Sequence, residues 1–284
     1  MRKLIAFTCV LLLISCTLIP AKLAAPYYSA IPLNEVGTYE GYSLGLGNTA
    51  AHNLEAPKIK PINNKVVMVS VGASVQNQIS ERFEQRVPEL TNTQFKFVNL
   101  CQPSKDLNDW TNNPSIWTEV NNRLSAVSIL KEEVQIVWLQ DDLINSDIAY
   151  FPDWSYRVAD SMESLIVKLR TEFPKLKHIF LSARPYTGFS TDFKHAEPKG
   201  YYNGWSCRFV VEDQLNGLFP VRPWISDDIY FWSNGTTPRA DGFQVLQSDF
   251  KPDGLHLSSA GKNKLGDYLF EELKTNTVSS KYIY

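Results

Sequence analysis

The sequence predicts an α/β chain folded as a three-layer α/β/α sandwich around a mainly parallel sheet of four or five strands. Three observations predict it. From Lys65 onward, short apolar runs rich in Val and Ile alternate with longer stretches of helical period, the pattern of strands joined by crossover helices. The apolar runs lack a polar alternation, as expected of strands covered on both faces. The 284 residues are enough for one large α/β domain, with no need of a second.

The elements follow in order. Residues 66–71 read as a buried first strand and 78–89 as the helix after it. Residues 95–100 form a second strand and 116–131 a second helix. A third strand spans 134–139, where Val, Ile, Val and Trp fall together, and a long helix covers 155–173. Residues 179–183 make a fourth strand, cut off by Pro185. A less regular region follows, with a helical stretch at 205–215 and an aromatic strand or turn at 229–232. The closing helix over 259–274 starts after Ser258 and Ser259, both good N-caps. Ligands of such sheets bind at the carboxyl ends of the strands. Here those ends are Ser74 and the segments 101–110, 140–147 and 184–190.

Ahead of the domain, Arg2 and Lys3 precede an apolar run over 4–14 that is too short to span a bilayer. The run ends in Leu13-Ile14-Ser15-Cys16, which resembles a bacterial lipobox. Residues 1–16 are therefore expected to be an export signal, with Cys16 lipidated as the mature N-terminus; an ordinary cleaved signal is the alternative. Residues 17–64 show no sustained period and read as a tether and N-terminal wrap, leaving 65–284 as the domain. The expected location is the cell envelope, with the membrane as a partner through the lipid.

A net charge of −2 gives no reason to expect nucleic acid. Seven Trp suggest either a sugar-binding surface or core packing, the second being favoured. Beyond the leader only Cys101 and Cys207 remain. In an oxidising compartment they either pair, closing a loop of roughly a hundred residues worth about 4–5 kcal/mol in the chain-entropy model, or stay as separate buried thiols.

The chemistry concentrates in two places. Near the C-terminus, Lys251-Pro252-Asp253-Gly254-Leu255-His256-Leu257-Ser258 sets a carboxylate and an imidazole three residues apart in one turn. Far upstream, Val69-Ser70-Val71-Gly72-Ala73-Ser74 sets a hydroxyl just beyond a strand, with small residues to let the backbone turn. A charge-relay His requires an orienting acceptor and a nucleophile to deprotonate, and these segments hold all three groups. Taken alone, Asp253 could merely cap the turn and Ser74 could sit in a plain loop.

Gly72-Ala73-Ser74 at the front and the run from Asp253 to Gly261 at the back together resemble the SGNH or GDSL hydrolase superfamily. The middle segments Val137-Trp138-Leu139, Leu181–Gly188, Glu212-Asp213-Gln214 and Pro238–Gly242 look like a poorly characterised bacterial branch of it. The resemblance covers residues 65–273. It implies the flavodoxin-like SGNH hydrolase fold, with Ser74 as nucleophile, His256 as general base and Asp253 as its orienting partner. It also implies an oxyanion hole built from the Ser74 N–H, a Gly after the second strand and an Asn after the third. Those last two places hold Asn99-Leu100-Cys101-Gln102 and Gln140-Asp141-Asp142. Leu100 remains a candidate through its N–H, and Gln102 and Gln140 through their amides, whereas Asp141 as a carboxylate would repel the oxyanion. Arg184 is a candidate for a substrate anion or a structural ion pair. His52, His178 and His195 are expected to be non-catalytic, and Glu212-Asp213 to be a solvated helix face.

No metal-ligand spacing, phosphate-cradling loop or dinucleotide fingerprint occurs, so no cofactor is expected. Two readings stand. One is an exported ester hydrolase acting through an acyl-enzyme on a small-molecule or glycan ester. The other is a non-catalytic glycan- or envelope-binding lipoprotein of the same fold, favoured by the changed oxyanion positions.

Overall fold

The computed structural model describes residues 57–283 except Val221, Thr236 and Thr277, together with the backbone of a short antiparallel pair, β1 (Thr38–Tyr39) and β2 (Tyr42–Ser43). The leader, Cys16 and most of the expected wrap lie outside the described residues. From residue 57 the chain runs along the domain: Gln135 donates to the Lys60 carbonyl at 2.7 Å, and Ile59 packs on the core.

Five strands form one sheet: β3 (Val66–Gly72), β4 (Phe95–Asn99), β5 (Val134–Gln140), β6 (His178–Ala183) and β7 (Trp224–Tyr230). Their spatial order is β4-β3-β5-β6-β7, and every neighbouring pair is parallel. The helices are α1 (Ser74–Arg86), α2 (Leu107–Asn112), α3 (Pro114–Ala126), α4 (Asp153–Glu172), α5 (Lys199–Leu215), α6 (Ser259–Thr275) and α7 (Ser280–Ile283). The strand side chains alternate between two cores. Val67, Val69 and Val71 of β3 join α2, α3, α4 and α5 on one face. Val66 and Met68 join α1, α6 and α7 on the other. The three-layer α/β/α architecture read from the sequence is therefore the fold, with the sheet parallel throughout.

Several elements depart from the sequence reading. The first helix starts at Ser74 itself, not at 78. The second helix stops at Ala126 because Ser128 takes a left-handed φ of 56°. Helix α2 went unread: it is a six-residue turn fixed by Asp106, whose side chain caps the Asp109 N–H at 2.9 Å. Helix α5 begins at Lys199 rather than 205 and is buried almost all round, so it shows no amphipathic period. Strand β7 begins at Trp224, five residues earlier than expected, because Ser226, Asp227 and Asp228 interrupt its apolar run.

All seven Trp are buried, so the Trp content reports core packing, the reading favoured from the sequence. Cys101 and Cys207 are separate buried thiols, which removes the disulfide alternative; burial pushes the Cys101 thiol up to about 12.

Candidate active site

The site is built where β3 gives way to α1. Gly72 ends the strand so close to the neighbouring strand that a Cβ there would sit 2.1 Å from the Gln140 carbonyl oxygen. Only glycine fits at that approach. Ala73, extended at φ −94°, is the N-cap and offers no side-chain cap. The first N–H groups of α1 therefore lack a side-chain cap from Ala73, and Ser74, the first helical residue, stands with them at the positive end of the helix dipole.

His256 arrives from the other end of the chain on a turn before α6. Gly254, at φ +66°, makes this turn possible, and Lys251 and His256 close it through a 2.7 Å backbone hydrogen bond. Helix α1 itself fixes the turn. Gln78, one helical turn beyond Ser74, accepts from the Leu257 N–H at 2.9 Å and donates to the Leu257 carbonyl at 3.0 Å. Ser74 and His256 are thus referenced to one rigid element, a device the sequence reading did not identify.

The three residues expected to act together lie together. His256 Nε2 is 3.0 Å from Ser74 Oγ, and His256 Nδ1 is 2.8 Å from Asp253 Oδ2. Asp253 Oδ1 accepts the N–H groups of Leu255 and His256, each at 2.9 Å. Burial alone would raise the Asp253 carboxyl, but these N–H groups and the imidazole outweigh it and hold it down to about 2. An ionised acceptor at Nδ1 keeps the proton there and leaves Nε2 free to take the Ser74 proton.

A cleft of about 260 Å³ opens over Ser74, lined by Ser104, Gln140, Asp141, Asp142, Arg184, His195 and His256 among others. Of the other expected site residues, Arg184 and Gln140 line it; Leu100 and Gln102 do not. The Leu100 N–H is engaged by the Ser70 carbonyl at 3.2 Å. The Gln102 amide donates to the Ile116 carbonyl at 3.2 Å. The Gln140 amide is held by the Ala183 carbonyl at 3.1 Å and Ser182 Oγ at 3.3 Å. None of the three is presented to the cleft as a free donor, because acceptors of the sheet and of α3 occupy them. Arg184 lies 3.5 Å from Asp142 Oδ2, so it serves in an ion pair at the cleft wall.

His195, expected to be a non-catalytic residue of a polar loop, lines the cleft. Its Nδ1 is buried without a partner. Burial, then the Arg184 charge, lowers it to about 4, so it is neutral at pH 7. Nothing in the sequence around a lone His in a polar loop signals this. Its loop is brought in by Lys199, whose ammonium binds the Asn145 and Lys194 carbonyls at 2.8 and 3.1 Å. Asp141 and Asp142 are also buried; desolvation raises Asp142 to about 6 and Asp141 well above the usual carboxylate range. Among the described residues no group of His, Cys, Asp and Glu is arranged to hold a metal ion.

No protein-family model matches the chain, and no curated protein does. Solved structures do. A Bacteroides fragilis protein classed as an acylhydrolase aligns at 12% identity and TM-score 0.45, over 83% of this chain and 95% of its own. An acetyl xylan esterase aligns at 11% and 0.42, over 72% and 98%. A GDSL-like lipase from Bacteroides thetaiotaomicron aligns at 9% and 0.41, over 78% and 93%. None of these reaches a TM-score of 0.5. The parallel five-stranded sheet with helices on both faces is the α/β fold expected from the sequence.

Proposed function

We propose that the protein is a serine ester hydrolase working through an acyl-enzyme. The carrying observation is the relay Ser74 Oγ–His256 Nε2–His256 Nδ1–Asp253, with contacts of 3.0 and 2.8 Å. Ser74 Oγ attacks the ester carbonyl while Nε2 takes its proton. The tetrahedral oxyanion forms beside the first N–H groups of α1. It collapses as His256 returns the proton to the leaving alcohol, and water then repeats the sequence to release the acid.

The small cleft suits a short acyl group. The side chains of His256 and Asp253 are 37% and 45% exposed, so the alcohol portion can extend into solvent. With Arg184, Asp142, His195 and Ser104 on the walls, these features support an acylated carbohydrate as substrate.

The test is a serine-directed fluorophosphonate: the folded protein is expected to be labelled on Ser74, and Ser74→Ala to be neither labelled nor active. A folded protein that resists labelling and binds glycan without turnover would put the binding-module reading in its place. We propose further that the domain works in the cell envelope, tethered through a lipidated Cys16, on the strength of Leu13-Ile14-Ser15-Cys16 after the apolar leader. A mature N-terminus beginning unmodified beyond residue 16, read by mass spectrometry, would exclude it.

A further inference from the structure

The loop 187–199 after β6 is fixed at three points. At its base the Glu197 side chain takes the Thr187 N–H at 2.9 Å and the Tyr201 N–H at 3.0 Å. Its middle lies on the turn that carries Asp253 and His256. There the Thr191 N–H donates to the Asp253 carbonyl at 3.0 Å, and the Phe189 carbonyl oxygen fills the space that a Cβ on Gly254 would need. At its far end the Lys199 ammonium joins the Lys194 carbonyl to the Asn145 carbonyl beyond β5. His195 lies between the last two of these points, with its own N–H held by the Asp192 carbonyl at 3.0 Å.

The two ring nitrogens of His195 differ. Nδ1 is closed off without a partner. Nε2 is neither closed off nor bonded by the protein among the described residues, and the ring lines the cleft together with Ser74 and His256. Burial and the Arg184 charge keep the ring neutral, so it has one N–H and one lone pair. An orphaned buried N–H is a rarer defect than an orphaned buried acceptor, and free histidine favours the same tautomer. The proton therefore sits on Nε2, and a donor faces the cleft.

Position decides what that donor meets. The loop bears on the His256 turn, and His256 is close enough that its charge disfavours a second one on His195. His256 returns its proton to the leaving alcohol, so His195 stands on the alcohol side of the ester. A space of about 260 Å³ is on the order of 6 Å across if equant, the breadth of one sugar ring. A neutral N–H suits a hydroxyl oxygen, whereas the Arg184 charge, which would suit an anion, is engaged by Asp142.

We infer that His195 determines specificity for the alcohol: its Nε2–H donates to a free hydroxyl beside the esterified one, selecting esters of sugars and other polyols over those of simple alcohols. This rests on the hydrolase reading and names the substrate class of that site. The contact transfers no proton. Its donor is positioned in advance, because the loop is held at both sides of His195.

The test compares two esters of one shape, 2-hydroxycyclohexyl acetate and cyclohexyl acetate, on the full protein. The quantity read is the ratio of their kcat/KM values, in which any general loss of activity in a variant cancels. Wild type is expected to prefer the hydroxy ester. In His195→Phe that preference should fall by roughly three- to tenfold, the loss of one neutral hydrogen bond. His195→Gln, which sets an amide N–H near the place of Nε2, should keep most of it. The ¹⁵N shifts of the His195 ring, identified by their loss in the Phe variant, should report a neutral Nε2–H imidazole at pH 7.

An unchanged ratio in the Phe variant would overturn the assignment and leave the hydrolase reading standing. So would a Gln variant as unselective as Phe with native circular dichroism, an Nδ1–H or imidazolium signal at pH 7, or fluorophosphonate labelling without turnover of either ester. Absence of both labelling and turnover in the folded wild type would remove the hydrolase reading and this role with it.

Discussion

Replacing Asp253 by Asn tests the tautomer on which the relay depends. The native carboxylate makes three contacts: Oδ1 takes the Leu255 and His256 N–H groups, each at 2.9 Å, and Oδ2 takes His256 Nδ1 at 2.8 Å. An amide has one acceptor oxygen. Turned toward the two backbone N–H groups, it keeps two hydrogen bonds and points its NH₂ at Nδ1; turned the other way, it sets NH₂ against two donors. The first orientation wins by at least one hydrogen bond and one avoided donor–donor contact, each on the order of 1 kcal/mol or more. Nδ1 must then accept, the proton moves to Nε2, and Nε2 can no longer receive the Ser74 proton.

The expected fall in kcat is on the order of 10⁴, as for a wrong-tautomer triad elsewhere, or about 5.5 kcal/mol of transition-state stabilisation. Asp253→Ala imposes no tautomer and should lose less. The fold should survive either change. The carboxyl is held from 3.8 down to about 2, so its contribution to stability is present above pH 4 and lost as pH falls toward 2. With a side chain 45% exposed, solvent screening limits that contribution to about 1 kcal/mol or less. The assay is single-turnover release of p-nitrophenolate, with ¹⁵N shifts of the His256 ring to identify the tautomer. An Asn variant within tenfold of wild type, or less impaired than the Ala variant, would refute this reasoning.

Gly254→Ala puts a Cβ 1.7 Å from the Phe189 carbonyl oxygen at a φ of +66°; kcat is expected to fall by about 10² or more as the turn shifts, and wild-type kinetics would contradict this. Gln78→Leu removes both hydrogen bonds to Leu257, so kcat should drop by about ten- to a hundredfold with KM little changed and cooperative unfolding retained. A change in KM alone would show that Gln78 acts on binding instead. Burial, then Asp213 and Asp160, raises Glu163 to about 7, a cost absent below about pH 4.5 and complete only above pH 7. Glu163→Gln should therefore match wild type near pH 4 and exceed it by about 1–2 kcal/mol at pH 8; a gap independent of pH in thermal melts would count against it.

The elements legible in the sequence are those whose surroundings are uniform along their length. Strands β3, β5 and β6 lie between helices on both faces, so their runs are mainly apolar, with single polar residues such as Ser70, Gln135 and Ser182 inside them. β7 is also buried on both faces, but Ser226 bonds His178 Nε2 at 3.0 Å and Asp227 is buried with partners of its own. Polar residues satisfied by tertiary contacts look like a loop when read alone. The triad was legible for a different reason: the Asp253–His256 spacing is local and the geometry of one turn decides it. The cleft walls were not, because they are assembled from four strand ends at once. The placing of His195 and Asp141 on the cleft wall depends on tertiary packing, which a lone His or an Asp-Asp pair in a loop does not encode.

That local legibility still leaves open how two ends of the chain meet within hydrogen-bond distance. The geometry points to the packing of α1 against α6, on the face opposite the long α4. At Gly266 the helices approach so closely that a Cβ would lie 2.4 Å from the Arg82 Cβ and 3.1 Å from the Ile79 carbonyl oxygen. Ile79 and Phe83 of α1 share a core there with Leu265, Leu269 and Phe270 of α6. Ion pairs line the rim: Arg82–Asp267 at 2.8 Å and Lys262–Glu81 at 2.7 Å. Such exposed pairs contribute about 0–1 kcal/mol each, whereas each buried large apolar side chain contributes about 1.5–3 kcal/mol. The apolar seam therefore sets the docking, and the ion pairs only align it. Ser74 begins the first helix, His256 lies just ahead of the second, and Gln78 ties the two starts together. The distance across which the Ser74 proton would move is thus fixed by hydrophobic packing on one side of the sheet, while the cleft walls that meet the substrate come from the strand ends and their loops.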